Sequence, residues 1–85
     1  MNEPENHTGW VDKSGGIWVR VDECPGQYGN WWPICGGPGW DPAVKEHPGQ
    51  AREWQQVLVD WPELTPADPG WTARAVALVR EDWAR

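Results

Sequence analysis

The chain has no phenylalanine, one tyrosine and one methionine, so its aromatic packing must rest on another residue type. No window approaches the ~20 consecutive apolar residues that a membrane-spanning helix needs. Residues 1–8, Met-Asn-Glu-Pro-Glu-Asn-His-Thr, lack the apolar run of a signal peptide. The expectation is therefore a cytoplasmic protein that begins with a disordered tail over 1–8. Basic residues are few, 7 against 13 acidic for a net charge of -6, and they stand apart. Affinity for nucleic acid needs a concentrated positive field, so direct nucleic-acid binding is excluded and a basic protein surface is the favoured partner. Eighty-five residues make one domain or less, too short for a large α/β catalytic scaffold.

Potential catalytic and metal-binding side chains are equally sparse. The two cysteines are Cys24 and Cys35, and the two histidines are His7 and His47. A structural zinc site wants four such ligands in close pairs, a spacing absent here. Without an export signal the cysteines are expected reduced, packed as small apolar groups beside the tryptophans. A Cys35–His47 pair has nothing behind it beyond the presence of both residue types. Gly26, Gly29, Gly36, Gly37 and Gly39 match neither phosphate-binding glycine pattern, having Trp and Pro as neighbours where Lys or Ser would be required. Glu53 and Asp60 read as an ordinary solvated pair on a helix flank. Asp12, Asp22 and Glu23 flank a hairpin without forming an oxygen-rich calcium loop, and read as a solvated strand edge. No catalytic residue, no metal site and no cofactor is expected.

Tryptophan is what the chain has in excess. It occurs nine times, alongside ten glycines and nine prolines. Each ring carries about 150–250 Å² of surface. A domain this small hides only part of its surface, so about two or three rings should remain exposed or half-exposed.

Read along the chain, residues 9–22 form a hairpin. Two β-rich stretches flank Ser14-Gly15-Gly16. On the second strand Ile17, Val19 and Val21 point to one face and Trp18 and Arg20 to the other. The aliphatic face is the core face, and Trp18 is either an exposed ring beside a cation or the cover of a second small cluster. Residues 23–49 form a Pro/Gly-rich loop. Trp31-Trp32-Pro33-Ile34-Cys35 is its candidate third strand, confined to an edge by Pro33.

Residues 50–61 place Trp54, Val57, Leu58 and Trp61 on one helical stripe that Pro62 ends. Glu63 to Gly70 turns the chain. A second helix over 71–84, with Thr72 as N-cap, buries Ala75, Val76, Val79 and Trp83 with Leu78 beside them. Val21 to Trp31 echoes Val44 to Trp54 at Val, Glu, Pro, Gly, Gln and Trp, a reuse of one turn type or chance. The fold class is α+β. A small antiparallel sheet of two or three strands, opening with the hairpin, packs its aliphatic face against two short C-terminal helices in a single domain over 9–85.

The densest aromatic group, Tyr28, Trp31, Trp32 and Trp40, falls in the least regular part of the chain. Rings on loops bind at low entropic cost. With Trp18 they make the expected binding surface, rimmed by Asp22, Glu23 and Asp41. The competing reading buries Trp31 and Trp40 and leaves Trp32 alone protruding.

The run Gly9 to Asp22, with Gly29-Asn30-Trp31-Trp32-Pro33 and Gly37-Pro38-Gly39-Trp40, resembles small tryptophan-rich accessory proteins of actinobacteria and their phages. Many of these open with a hairpin of the form Asp-x-x-Gly-x-x-Trp, which Asp12, Gly15 and Trp18 fit. The resemblance implies a phage or host accessory protein that modulates a host protein in the host cytoplasm, and it carries no catalytic residue. The expected function is accordingly a protein-binding monomer or homodimer, not an enzyme. The alternatives are a structural component of a phage particle and a carbohydrate or cell-wall binding module.

Overall fold

The computed structural model describes residues 2–34 and 50–84. It is an α+β domain with strands β1 (Gly9–Val11), β2 (Ile17–Arg20), β3 (Trp31–Ile34) and β4 (Thr65–Pro66), and helices α1 (Trp54–Asp60) and α2 (Pro69–Trp83). The strands form one antiparallel sheet in the order β3-β2-β1-β4. The N-terminal hairpin and the Trp31 strand are where the sequence places them. β4 was not expected, since Glu63 to Gly70 reads as a turn. Two of those residues lie against Trp10 and Val11 and complete the sheet.

The hairpin turn is organised by one carboxylate. Asp12 Oδ1 accepts hydrogen bonds from Ser14 N at 2.9 Å, Ser14 Oγ at 2.6 Å and Gly16 N at 2.9 Å. Its Oδ2 accepts from the indole of Trp18 at 3.0 Å. Gly15, at φ 90°, supplies the left-handed residue that lets the chain reverse. Asp12 is thus 7% exposed and fully engaged, not part of a solvated strand edge.

Alternation along β2 gives the sheet two apolar faces. Ile17, Val19 and Val21 join Ile34 and Cys24 against Trp71, Ala75, Val76 and Val79 of α2. Trp18 points the other way and packs with Trp31, Trp54 and Val57, so α1 covers the tryptophan face. The expectation that both helices cover the aliphatic face is corrected here: one helix lies on each side. The stripe Trp54, Val57, Leu58 and Trp61 is the packed face of α1, as its spacing requires.

β3 tolerates Pro33 because of register. Trp31 exchanges its N–H and C=O with Arg52, at 3.0 and 2.8 Å. These groups point away from β2, and alternation puts the nitrogen of Pro33 on the same outer side, where no ladder bond to β2 is lost. The bridge to Arg52 keeps Arg52 and Glu53 extended, so α1 begins at Trp54 and not at Gln50. Gly29 permits the approach. Its φ is 146°, and a Cβ there would meet the Arg52 carbonyl carbon at 2.2 Å.

α2 starts earlier than its pattern suggests. Asp68 is the N-cap, its carboxylate accepting from Trp71 N at 2.8 Å, and Pro69 occupies the first turn. Thr72, the expected cap, lies one turn inside, buried, with its hydroxyl donating to Asp68 O at 2.9 Å. Trp83, expected on the buried stripe, is 50% exposed and donates its indole N–H to Pro25 O at 3.2 Å.

The segment before β1 is tied to the domain. His7 N donates to Arg20 O at 2.9 Å, Arg20 N to Thr8 O at 3.1 Å, and Asp22 N to Asn6 Oδ1 at 2.9 Å. The Arg20 guanidinium also reaches Pro4 O. These bonds start from the segment read as a tail over 1–8, and their partners all lie on the β2 end of the hairpin. Among the described residues no helix is long and apolar enough to cross a membrane.

Candidate functional site

The residues expected to form an exposed aromatic surface go to separate places. Trp31 is 0% exposed and Trp18 8%, both inside the tryptophan-face core. Trp31 stacks on Trp54 with ring centroids 4.6 Å apart. Trp32 is half-buried on the opposite face and donates its indole N–H to Cys24 O at 3.0 Å. Tyr28 alone of the described members is well exposed, at 54%. Trp40 and Asp41, like Cys35 and His47, lie outside the described residues.

The exposed tryptophan cluster is therefore not there, and the host-modulator function that rested on it is withdrawn. The physical reason is period-two alternation: Trp18 and Trp31 share the sheet face that α1 covers, so both rings are core. The hairpin pattern Asp12, Gly15 and Trp18 has a structural explanation of its own, since the carboxylate holds the turn and the indole together.

The two acidic rim residues that the structure describes, Asp22 and Glu23, have different charged partners. Asp22 pairs with Arg20 at 2.7 and 3.0 Å and takes a further bond from Asn30. The Arg20 hydrogen bond holds the Asp22 carboxyl below its ordinary range, and the same pairing raises Arg20. Glu23 accepts from His7 Nε2 at 2.8 Å on both oxygens, and from Arg80 Nε at 3.0 Å and Arg80 Nη2. A carboxylate accepts only, so His7 carries its proton on Nε2. The Arg80 Nη2, 3.2 Å from that nitrogen, is then a second donor converging on the same acceptor. The Arg80 bond, Glu23's own backbone N–H and the His7 bond bring the Glu23 carboxyl down to about 2. Nearby, burial pushes the thiol of Cys24 up, and Cys24 is a free cysteine.

Beside this latch runs a groove of about 350 Å³ between the segment entering β1, the end of β4 and α2. Its helical wall is Pro69, Thr72, Ala73, Val76 and Arg80, one face of α2. Gly9 lets β1 approach that face, since a Cβ there would sit 2.6 Å from Thr72 Oγ1. Pro66 and Ala67 continue the apolar lining, while His7 and Arg80 are its titratable members. In a chain of net charge -6, the formally charged side chain on this groove is a cation. The Thr8 and Thr72 hydroxyls of the wall donate to the backbone oxygens of Glu5 and Asp68.

Sequence reasoning missed this site. His7 reads as part of a polar tail, and Arg80 falls off the apolar stripe of the second helix. They meet Glu23 across separations of 16 and 57 positions, which no local pattern encodes. The partial signal was α2 itself, where Pro69, Thr72, Ala73, Val76 and Arg80 share a helical face that the core does not wholly consume. Among the described residues no group of three or more His, Cys, Asp or Glu is placed to hold a metal ion.

A small α+β domain with a cation-ended apolar groove is the class that fold and site define. No family model matches the chain, and no curated protein or solved structure matches it.

Proposed function

We propose that this protein is a small-molecule binding domain and that the groove between the β1 entry segment and α2 is its binding site. The observation that carries the reading is the groove itself. Its volume of about 350 Å³ lies within the range of ligand sites, and it combines an apolar wall with convergent polar groups at one end. Binding is favoured over covalent chemistry because both hydroxyls of the wall are already committed to backbone acceptors. A cytoplasmic setting fits the free thiol of Cys24, since unpaired cysteines are the rule in reducing compartments.

Ala73 provides the test. It lines the groove yet is exposed on α2, so Ala73→Trp fills the space without entering the core. A library of small apolar acids, alcohols and amines, screened by ligand-detected NMR, should give hits on the wild type that vanish with Ala73→Trp. The melting temperature of the variant should stay within about 3 °C of wild type, as for a surface substitution. Hits unaffected by Ala73→Trp would place binding elsewhere.

A further inference from the structure

We infer that the groove selects a small amphipathic carboxylate, whose apolar body lies along Val76, Ala73 and Pro66 and whose head is received by Arg80 beside His7. The inference rests on the groove being a binding site and names its ligand class. Charge is the first argument. The chain carries a formal charge of -6, and a general attraction would favour cations. Yet the described lining contributes an arginine, an imidazole and no carboxylate. An anion bound here would sit against the field of the whole molecule, so it requires a local donor set.

The donor set is present and already holds a carboxylate. Arg80 Nε and Nη2 and His7 Nε2 all converge on Glu23. Glu23 shows that this arrangement suits a carboxylate, because its own carboxyl is the residue these donors hold ionised. Glu23 is not among the residues lining the groove, so its carboxylate approaches Arg80 from beside it. The contacts to Glu23 and His7 use Nε and Nη2, and among the described residues none engages the remaining guanidinium nitrogen, Nη1, to which the ligand head is assigned. Arginine suits this double duty, since its planar fork presents five N–H groups in fixed directions. Glu23 then acts as an internal competitor that offsets part of the positive charge a ligand would meet.

The apolar body follows from the rest of the wall. Val76, Ala73, Pro66, Ala67 and Pro69 offer methyl, methylene and ring surface. The hydroxyls of Thr8 and Thr72 are occupied. A hydrophilic ligand such as a sugar or a polyphosphate would leave its hydroxyls or charges unpaired against this wall, a loss of binding energy for each one. A single anionic head on a short alkyl or aryl chain leaves none.

The experiment compares three ligands of one body, hexanoate, hexanol and hexylammonium, titrated at low ionic strength and followed by amide NMR of the intact chain. The expected result is saturable shifts at Thr8, Ala73, Val76 and Arg80, with hexanoate binding at least about fivefold more tightly than hexanol and hexylammonium weakest. Arg80→Gln should reduce the hexanoate preference over hexanol to about onefold, and Arg80→Lys should restore part of it, since the charge returns without the fork. Glu23→Gln, which removes the competitor, should tighten hexanoate about threefold and leave hexanol unchanged.

Saturable binding of hexanol and hexanoate with equal affinity, blocked by Ala73→Trp, would overturn the carboxylate inference while leaving the groove as a site. A preference for hexylammonium would do the same. Hexanoate binding that Arg80→Gln does not weaken would overturn the assignment of the head group to Arg80. Absence of any saturable shift with all three ligands would overturn this inference alone if the library screen gives Ala73-sensitive hits, and both readings if it does not.

Discussion

Asp12 shows how one side chain can be read as surface and turn out to be structure. It follows a strand and precedes Ser-Gly-Gly, the setting of an exposed turn residue. The turn brings three donors onto Oδ1, and Trp18 sends its indole N–H onto Oδ2. Removing the carboxylate strands that indole N–H inside the protein and loosens the turn. Asp12→Ala should therefore destabilise the domain by about 3 kcal/mol, the order expected when buried donors lose their acceptor. Asp12→Asn should cost less, because it keeps the Oδ1 acceptor and the side-chain shape. Urea denaturation of the pair decides the point, and a cost under ~1 kcal/mol for Asp12→Ala would mean that water replaces the carboxylate. Among the described residues, three other indole nitrogens, those of Trp10, Trp31 and Trp54, are buried without a partner. Trp18 is thus the member of its cluster with a polar anchor, and its register follows from Asp12 as well as from packing.

At the scale of elements, α1 is held by its contacts far more than by its own chain. It spans seven residues, its N-cap Glu53 makes no side-chain capping bond, and no acidic residue opens it. A helix so short does not persist alone in water. What keeps it is Trp54 and Val57, seated on Trp18 and Trp31, and the strand-like bridge of Arg52 to Trp31 that delivers the chain to its first turn. Trp54→Ala should cost about 3–5 kcal/mol, as loss of a core aromatic does. Hydrogen exchange should then rise first across 54–60 and at Trp31, with α2 protected until global unfolding. Equal loss of protection in both helices would show that the two faces of the sheet unfold as one unit. α2 differs: fifteen residues, an Asp68 cap, Pro69 in its first turn and Arg80 in its last make it the sturdier element.

For the whole molecule, the latch of His7, Glu23 and Arg80 joins the N-terminal segment, the end of the hairpin and the last helix. Its acid sensitivity has a definite sign. Glu23 titrates near 2 in the folded protein against an ordinary 4.5. Its pairing therefore contributes fully above about pH 4.5 and is lost as the pH falls toward 2, because the unfolded chain takes up the proton first. Asp22, also lowered by its arginine partner, acts in the same direction. The wild type should lose stability between pH 5 and pH 2 more steeply than Glu23→Gln, with the two curves converging at the acid end. Thermal melts across that range test it, and parallel curves would mean that the latch contributes nothing to folding. Because His7 and Arg80 of this latch line the groove, acidification should loosen the segment that forms one of its walls.

The sequence by itself determined the α+β class, the hairpin about Gly15, the third strand through Trp31 and the packed stripe of α1. Each is a local matter: glycine permits the turn, alternation marks a strand, and apolar residues at helical spacing mark a buried face. Only the tertiary structure decided which face each helix covers, and that choice settled Trp18 as part of a second core cluster and buried Trp31, whose Pro/Gly-rich surroundings read as a binding surface. It also moved the start of α1, since Arg52 is held extended by a strand that lies far back in the chain, and it made Asp68 the cap of α2 in place of Thr72. The candidate site was the least legible part, because His7, Glu23 and Arg80 belong to three segments with no common pattern. Charge attraction acts through space, and it joins residues that a reading along the chain keeps apart.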